Sequence, residues 1–274
     1  IDTAHAAWAD VSSESLGAFG PAGTTASDAI AIIWLGRWPP AGVFLAKRSL
    51  NLWWVLKLTK KEEWPVLTAT EIEHMFTRTD GSYVFARWGR PISPVVFGVM
   101  DESLSVVKSA IEAVCLACGH VTVELDPELG SNMMMFFFSN WDELGSVPDL
   151  DQLIPNLAQV VDRLQVAQAN QYRAFRFDDA GAIQACFVFL RVDEALEQLG
   201  ADSLALSQAV QVMLLWSQDA FRETSPLAVL ESGVTVLRPE IAAVLRAAYD
   251  PIMPARADDP SHALRLHARI PMLS

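Results

Sequence analysis

The sequence predicts an α/β (α+β) fold with a mixed central sheet and flanking helices, and three observations lead to that prediction. Residues 133–138 are six large apolar residues in a row, too few to cross a membrane and without polar alternation. Such a run is typical of a strand covered on both faces at the centre of a sheet. Helix-like and strand-like segments alternate around it from residue 69 onward. Finally, 51% of the 274 residues are apolar, which is enough for a sizeable core without disulfides.

An irregular Trp-rich N-terminal extension is predicted to precede this body, so that residues 1–66 form a contact segment and residues 67–274 the α/β domain. Residues 29–61 contain no acidic side chain. Residues 1–61 carry a net charge of +2, from six lysines and arginines against four acidic residues, while the rest of the chain carries −15. The apolar pieces are short and are interrupted by Pro39 and Pro40, so none is predicted to span a bilayer.

The helices of the body are predicted from apolar residues at helical spacing and from signals at their ends. The clearest helix begins at Asp101 and Glu102, where acidic side chains suit the helix dipole, and stops at Gly119. Pro239 is expected to start another helix, and Asp259 to cap the last one. The predicted helices cover residues 70–76, 101–118, 150–169, 193–199, 203–221 and 240–249, followed by the helix after Asp259.

The strands are predicted from short apolar or alternating runs between turn signals. The turn at residues 178–181 is expected to join two strands into a hairpin. Residues 121–125 alternate apolar and polar side chains, so this strand is expected to be partly solvated. The predicted strands cover residues 83–88, 94–100, 121–125, 133–138, 172–177 and 183–192.

Cys115, Cys118 and His120 form a local cluster of chemically reactive side chains. A redox Cys-x-x-Cys pair is expected at a helix N-terminus, where the dipole lowers the thiol pKa, whereas this pair lies at a C-terminus on the apolar stripe. The pattern therefore favours two small core residues, and three cysteines do not make a disulfide framework. The sequence contains no HExxH metal motif, no GxSxG nucleophile elbow and no GxxxxGK[ST] phosphate loop.

Three parts of the body carry a resemblance to a known family: residues 128–138 (ELGSNMMMFFF) with 141–144 (WDEL), residues 206–211 (LSQAVQ), and residues 245–254 (LRAAYDPIMP). They resemble an uncharacterised family of proteobacterial proteins with a zincin-like, metallopeptidase-shaped domain, the domain of unknown function 2927. The similarity covers about residues 83–270. Members of that family often carry a His-Glu pair at the start of the long helix, where this sequence has Leu206 and Ser207. The resemblance therefore implies a peptidase-like shape without metal or hydrolytic chemistry.

These observations predict a non-catalytic binding or assembly protein that uses the apolar, basic N-terminal segment as its contact element, since contiguous apolar surface usually marks an interface. A protein partner is expected to bind through residues 29–61, without a metal or a cofactor. The net charge of −13 argues against a nucleic-acid partner. The predicted contact residues are Trp34, Arg37, Trp38, Lys47, Arg48, Trp53 and Trp54.

Two alternatives come from other features of the sequence. One is a hydrolase whose site uses His120, Glu124 or the loop of Trp141, Asp142 and Glu143, which would have to converge in one cleft. The other is peripheral membrane association, with tryptophans at headgroup level and cations toward anionic lipid. The low cysteine content favours the cytoplasm, with a periplasmic or membrane-peripheral location as the alternative. The sequence predicts no particular oligomeric state.

Overall fold

The structure is a computed structural model that describes residues 30–34, as backbone, and residues 66–272. Their main feature is a five-stranded mixed sheet in the order β1-β5-β6-β4-β3. The inner strand β4 runs parallel to both β3 and β6, whereas β5 is antiparallel to β6 and to β1. The five strands are β1 (Ile30–Trp34), β3 (Pro94–Phe97), β4 (Met133–Phe138), β5 (Gln171–Phe177) and β6 (Ile183–Arg191).

Two short ribbons, eight α-helices and two 3-10 helices complete the described part of the chain. The ribbons pair β2 (Phe85–Ala86) with β9 (Arg256–Ala257), and β7 (Leu227–Val229) with β8 (Thr235–Leu237). Short 3-10 helices cover Trp141–Ser146 and Ile270–Met272. The α-helices are α1 (Ala69–His74), α2 (Asp101–Cys118), α3 (Leu150–Leu153), α4 (Leu157–Val166), α5 (Glu194–Glu197), α6 (Ala201–Met213), α7 (Pro239–Ala248) and α8 (Ser261–Arg269).

The apolar run of β4 is covered on both faces, as predicted. Met133 and Met135 point into the larger core, which α2, α6, α7 and α8 also line. Phe136 and Phe138 point to the opposite face, into a second core with Trp141 and the inner sides of α3 and α4. The middle position of the sheet belongs to β6 rather than to β4, because the hairpin adds β5 and β1 on that side.

The prediction for α2 is confirmed in both its extent and its stripe. The helix covers Asp101–Cys118 and buries one line of side chains that includes Val107, Ile111 and Cys115. Gly119 ends it in the left-handed conformation at φ 77°, which costs a glycine little because it has no Cβ. The predicted α/β class, the hairpin of β5 and β6, and the start of α7 at Pro239 are confirmed as well.

The strand predicted at residues 121–125 is wrong. The Ile92 N–H donates to the Val121 carbonyl at 3.0 Å, and the Ile92 carbonyl accepts from the Val123 N–H at 2.9 Å. These two hydrogen bonds form a single isolated bridge and not a strand. The next residue of β3 on that side is Pro94, which has no N–H to donate. Leu125 is consequently 69% exposed.

Two predicted helices end earlier than expected. The helix predicted for residues 150–169 is divided into α3 and α4 at Pro155, which disfavours helical backbone at Ile154, while Asn156 lies in the left-handed region at φ 56°. The helix predicted to reach residue 221 stops at Met213. Beyond it the chain is extended, and the Leu215 N–H donates to the Ala86 carbonyl of β2 at 2.9 Å.

The strand predicted for residues 83–88 and the cap predicted for the last helix also need small corrections. Only Phe85–Ala86 forms a strand, because Arg87 and Trp88 make single bridges to Leu214 and Ile183 instead of joining one ladder. The last helix begins at Ser261, after Pro260 at its N-cap, and the Asp259 carboxylate accepts from the Ser261 N–H at 2.8 Å.

Candidate functional site

The predicted contact segment begins within the sheet, where residues 30–34 form its edge strand β1. Trp34 is the last residue of β1, and its backbone lies opposite Tyr172 of β5. The other predicted contact residues lie outside the described part of the chain, so their role stays a prediction. They are Arg37, Trp38, Lys47, Arg48, Trp53 and Trp54.

The Cys-x-x-Cys pair lies in the core, as the sequence indicates. Cys115 and Cys118 are buried free thiols on the inner side of α2. Burial raises the pKa of Cys118 to about 12 and that of Cys115 further, so both thiols are protonated and unreactive at neutral pH. His120 follows the helix, with its Nε2 3.0 Å from the Arg90 carbonyl and its ring centroid 4.8 Å from that of Tyr249.

The side chains named for a hydrolase lie at opposite ends of β4. The Trp141–Ser146 turn follows the last residue of the strand. Glu124 lies near its first residue, since Ser93 contacts both the Glu124 carbonyl and the N–H of Met133. Six strand residues separate the two places by about 20 Å. The structure therefore does not bring Glu124 together with the 141–143 loop.

The side chains of that loop are engaged in holding it. Trp141 is fully buried and its Nε1 donates to the Ala169 carbonyl at 2.7 Å. The Glu143 carboxylate accepts from the N–H groups of Ser139 and Asn140 at 3.0 and 2.8 Å. Asp142 accepts from the Gln165 amide at 2.7 Å. These contacts close the turn that follows β4.

Leu206 and Ser207, the positions that the sequence resemblance aligns with a His-Glu pair, lie on α6. Leu206 is buried, and the Ser207 hydroxyl accepts from the Gln211 amide at 2.9 Å. Within the described residues, no group of three or more His, Cys, Asp or Glu side chains is arranged to hold a metal ion.

A buried polar cluster, formed by Arg173, Gln171 and Gln208 and called here the Arg173 cluster, lies between β5 and α6. The Arg173 side chain is on the sheet face of Phe175 and Phe177, under α6, and the residue is only 1% exposed. Its Nη2 donates to the Gln171 Oε1 at 3.0 Å and to the Gln208 Oε1. The Gln208 amide nitrogen also donates to the Gln171 Oε1, at 2.9 Å.

The Arg173 cluster holds a charge that no described carboxylate neutralises. Among the described residues, no Asp or Glu forms an ion pair with Arg173. Burial lowers the pKa of Arg173 to about 10, with the Cys186 thiol nearby acting in the other direction. The guanidinium is therefore still cationic at neutral pH. Its Nε and Nη1 are buried and have no hydrogen-bond partner in the described part of the chain.

Sequence reasoning missed this cluster, although a signal for it exists. Strand alternation places Arg173 on the face of Phe175 and Phe177. Helical spacing places Gln208 and Gln211 in line with Leu204, at the fourth and seventh residues after it. A cation on the apolar side of a strand, facing glutamines on the apolar side of a helix, indicates a buried polar contact.

Comparison with known proteins adds no relative. The chain matches no family model, and no curated protein or solved structure is significantly similar to it. The structure defines the class of the protein as an α/β fold with a mixed sheet. Among the described helices, none combines the length and the apolar character needed to cross a membrane.

Proposed function

We propose that this protein is a non-catalytic binding or assembly protein, and that residues 29–61 form its contact element for a protein partner. The observation that carries the proposal is the position of β1, which pairs with β5 over its whole length. The Trp-rich, acid-free chain that follows Trp34 therefore starts at a defined edge of the sheet. Tryptophan and arginine are the residues most often found at the energetic centre of interfaces.

The body supports this proposal because its chemically capable side chains serve the fold. Cys115 and Cys118 are buried, Glu143 closes a turn, and Leu206 and Ser207 stand where the resembling family often has a His-Glu pair. A zincin-like shape without its chemistry is part of the proposal. A carboxylate-rich partner surface suits the contact element, since residues 29–61 hold cations and no acid.

A membrane surface is the second candidate for the contact element, favoured by the same combination of tryptophans and cations. We place the protein in the cytoplasm, in keeping with its three free, buried thiols, with a membrane-peripheral or periplasmic location as the alternative.

The test keeps β1 and changes only the segment after it. In one variant Trp38, Trp53 and Trp54 become Ala, and Arg37, Lys47 and Arg48 become Ser. Tagged chain is isolated from the cells that produce it, bound proteins are quantified by mass spectrometry, and the affinity for each recovered protein is measured by calorimetry. We expect the variant to bind the partner at least about tenfold more weakly.

The control variant carries Val166→Ser and Ile252→Ser, which remove two exposed apolar side chains from the body. It should bind like the wild type. Flotation with neutral and anionic liposomes completes the comparison. Equal protein binding by the wild type and the segment variant would refute the proposal. Salt-sensitive flotation with anionic liposomes and no protein partner would favour the membrane surface instead.

A further inference from the structure

We propose that the Arg173 cluster is a binding site for a single carboxylate group, located between β5 and α6. The proposal does not depend on the contact element of residues 29–61. It rests on the unmet hydrogen-bonding capacity and the uncompensated charge of a side chain in the core.

The first argument is the count of donors on the guanidinium. Arginine has five N–H donors, two of them on Nη2. In Arg173 those two are directed to Gln171 and Gln208, while Nε and both hydrogens of Nη1 find no acceptor among the residues that the structure describes. Buried donors without a partner are destabilising, and three on one side chain are unusual in a folded protein. An acceptor supplied by a ligand would satisfy them.

The second argument is charge. A buried cation is normally paired, and none of the described acidic residues pairs with Arg173. Cys186 does not serve as the counterion, because burial raises the pKa of its thiol to about 12. The sequence contains no acidic residue between Ala29 and Lys61. No described residue supplies the negative charge, and the proposal assigns it to a carboxylate of another molecule.

The chemistry of the cluster selects a monoanion with planar oxygens. Arg176, the next arginine on β5, bonds to the Leu153 carbonyl on the other face of the sheet, so one described cation serves the site. A single guanidinium beside neutral amides matches one carboxylate, whereas a phosphate dianion usually gathers several cations.

Because Arg173 is 1% exposed, a ligand has to separate α6 from β5 to reach it. Association is therefore expected to be slower than for an open site. The carboxylate has two sources, a free small acid or an acidic side chain of a polypeptide. Formate and acetate probe the first source, and a short neutral-ended peptide containing one glutamate probes the second.

The experiment measures thermal unfolding of the full chain in sodium formate, acetate, chloride and phosphate at equal ionic strength. We expect a saturable stabilisation by formate and acetate that chloride and phosphate do not give. Arg173→Met should weaken the apparent affinity for formate at least about tenfold. Arg176→Met, on the same strand but the opposite face, is the matched control and should retain the wild-type response.

A second measurement covers the case in which Arg173→Met does not fold. The Nε–H resonance of Arg173 in the wild type, assigned with Gln208→Leu as a neighbouring perturbation, should shift on titration with formate. Stabilisation by formate alone would assign the site to a free acid, and stabilisation by the glutamate peptide as well would extend it to side chains. No shift of the resonance, or an equal response to formate and chloride, would overturn the proposal.

Discussion

At the scale of single residues, Asn132 shows how one side chain positions the start of β4. It is fully buried and makes three hydrogen bonds. Its Oδ1 accepts from the Ser93 N–H at 2.8 Å, and its Nδ2 donates to the Pro91 carbonyl at 2.8 Å and to the Asp126 carboxylate at 3.2 Å. The amide thereby ties the chain before β3 to the chain before β4.

Asn132→Ala should destabilise the protein by about 3 kcal/mol, because it leaves a buried N–H, a carbonyl and a carboxylate oxygen without a partner. Asn140→Ala is the control. Asn140 accepts from the Asp142 N–H at an exposed 3-10 N-terminus, so its loss should cost about 1 kcal/mol. Urea denaturation of both variants measures the difference. Equal losses would mean that the Asn132 contacts do not stabilise the fold.

The position of Arg173 in β5 explains why the sequence alone did not predict its burial. A single arginine in a strand is usually placed by alternation on the solvated face. Here Arg173 shares a face with Phe175 and Phe177, and only the packing of α6 shows that this face is covered. Residue type alone favours the solvated face, and the packing of α6 decides that this face is covered.

At the scale of elements, two glycines with similar backbone angles serve different purposes. Gly98 connects β3 to α2 at φ 81°, and a Cβ there would lie 2.2 Å from the backbone oxygen of Phe137. Gly119 ends α2 at φ 77° and has no atom within 4 Å of an added Cβ. The first glycine is needed for both its conformation and its lack of volume, and the second for its conformation alone.

Gly98→Ala should therefore cost at least about 3 kcal/mol, since a fixed backbone oxygen would have to move in addition to the strain at positive φ. Gly119→Ala should cost about 1 kcal/mol from strain alone. Chemical denaturation of both variants gives the two values. If the two alanines were equally tolerated, β3 and β4 would be able to separate at that point without loss.

The sequence predicted the ends of a helix well where the signals lie within the helix itself. It did not predict an end that depends on contact with another element. The stripe and the glycine stop of α2 lie within its own sequence. The end of α6 at Met213 does not, because the apolar spacing continues to Leu214 and Ser217 while the backbone turns to bond with β2. Both residues are buried although they lie beyond the helix, so a buried position at helical spacing does not by itself extend the helix.

At the scale of the whole molecule, the buried His262 and the half-buried His120 make stability depend on pH. Burial lowers the pKa of His120 and of His262 to about 4 from the ordinary 6.5. His262 lies against Phe85 in the core, with its Nδ1 2.9 Å from the Tyr83 hydroxyl. Both histidines are neutral in the native state at neutral pH. The unfolded chain binds protons first as the pH falls.

The contribution of the two neutral histidines to the free energy of unfolding should therefore be fully present above about pH 6.5. It should decrease as the pH falls and be lost below about pH 4. Urea midpoints from about pH 7.5 to about pH 4.5 measure the slope. His262→Gln should flatten it relative to the wild type. His267→Gln, on the same helix but outside the core, is the control. An unchanged slope in His262→Gln would show that His262 does not contribute to the pH dependence of stability.

The sequence by itself determined the α/β class, the two-sided burial of β4, the extent of α2 and the hairpin, because apolar period and end signals are written in consecutive residues. It also concentrated tryptophans and cations in residues 29–61 and so led to the proposed contact element. Only the tertiary structure decided that Pro94 stops the ladder beside Ile92, that α6 ends at Met213, and that Arg173 is enclosed by Gln171 and Gln208. Those outcomes depend on which backbone and side chains meet across space, and the spacing of residues along one segment does not encode that.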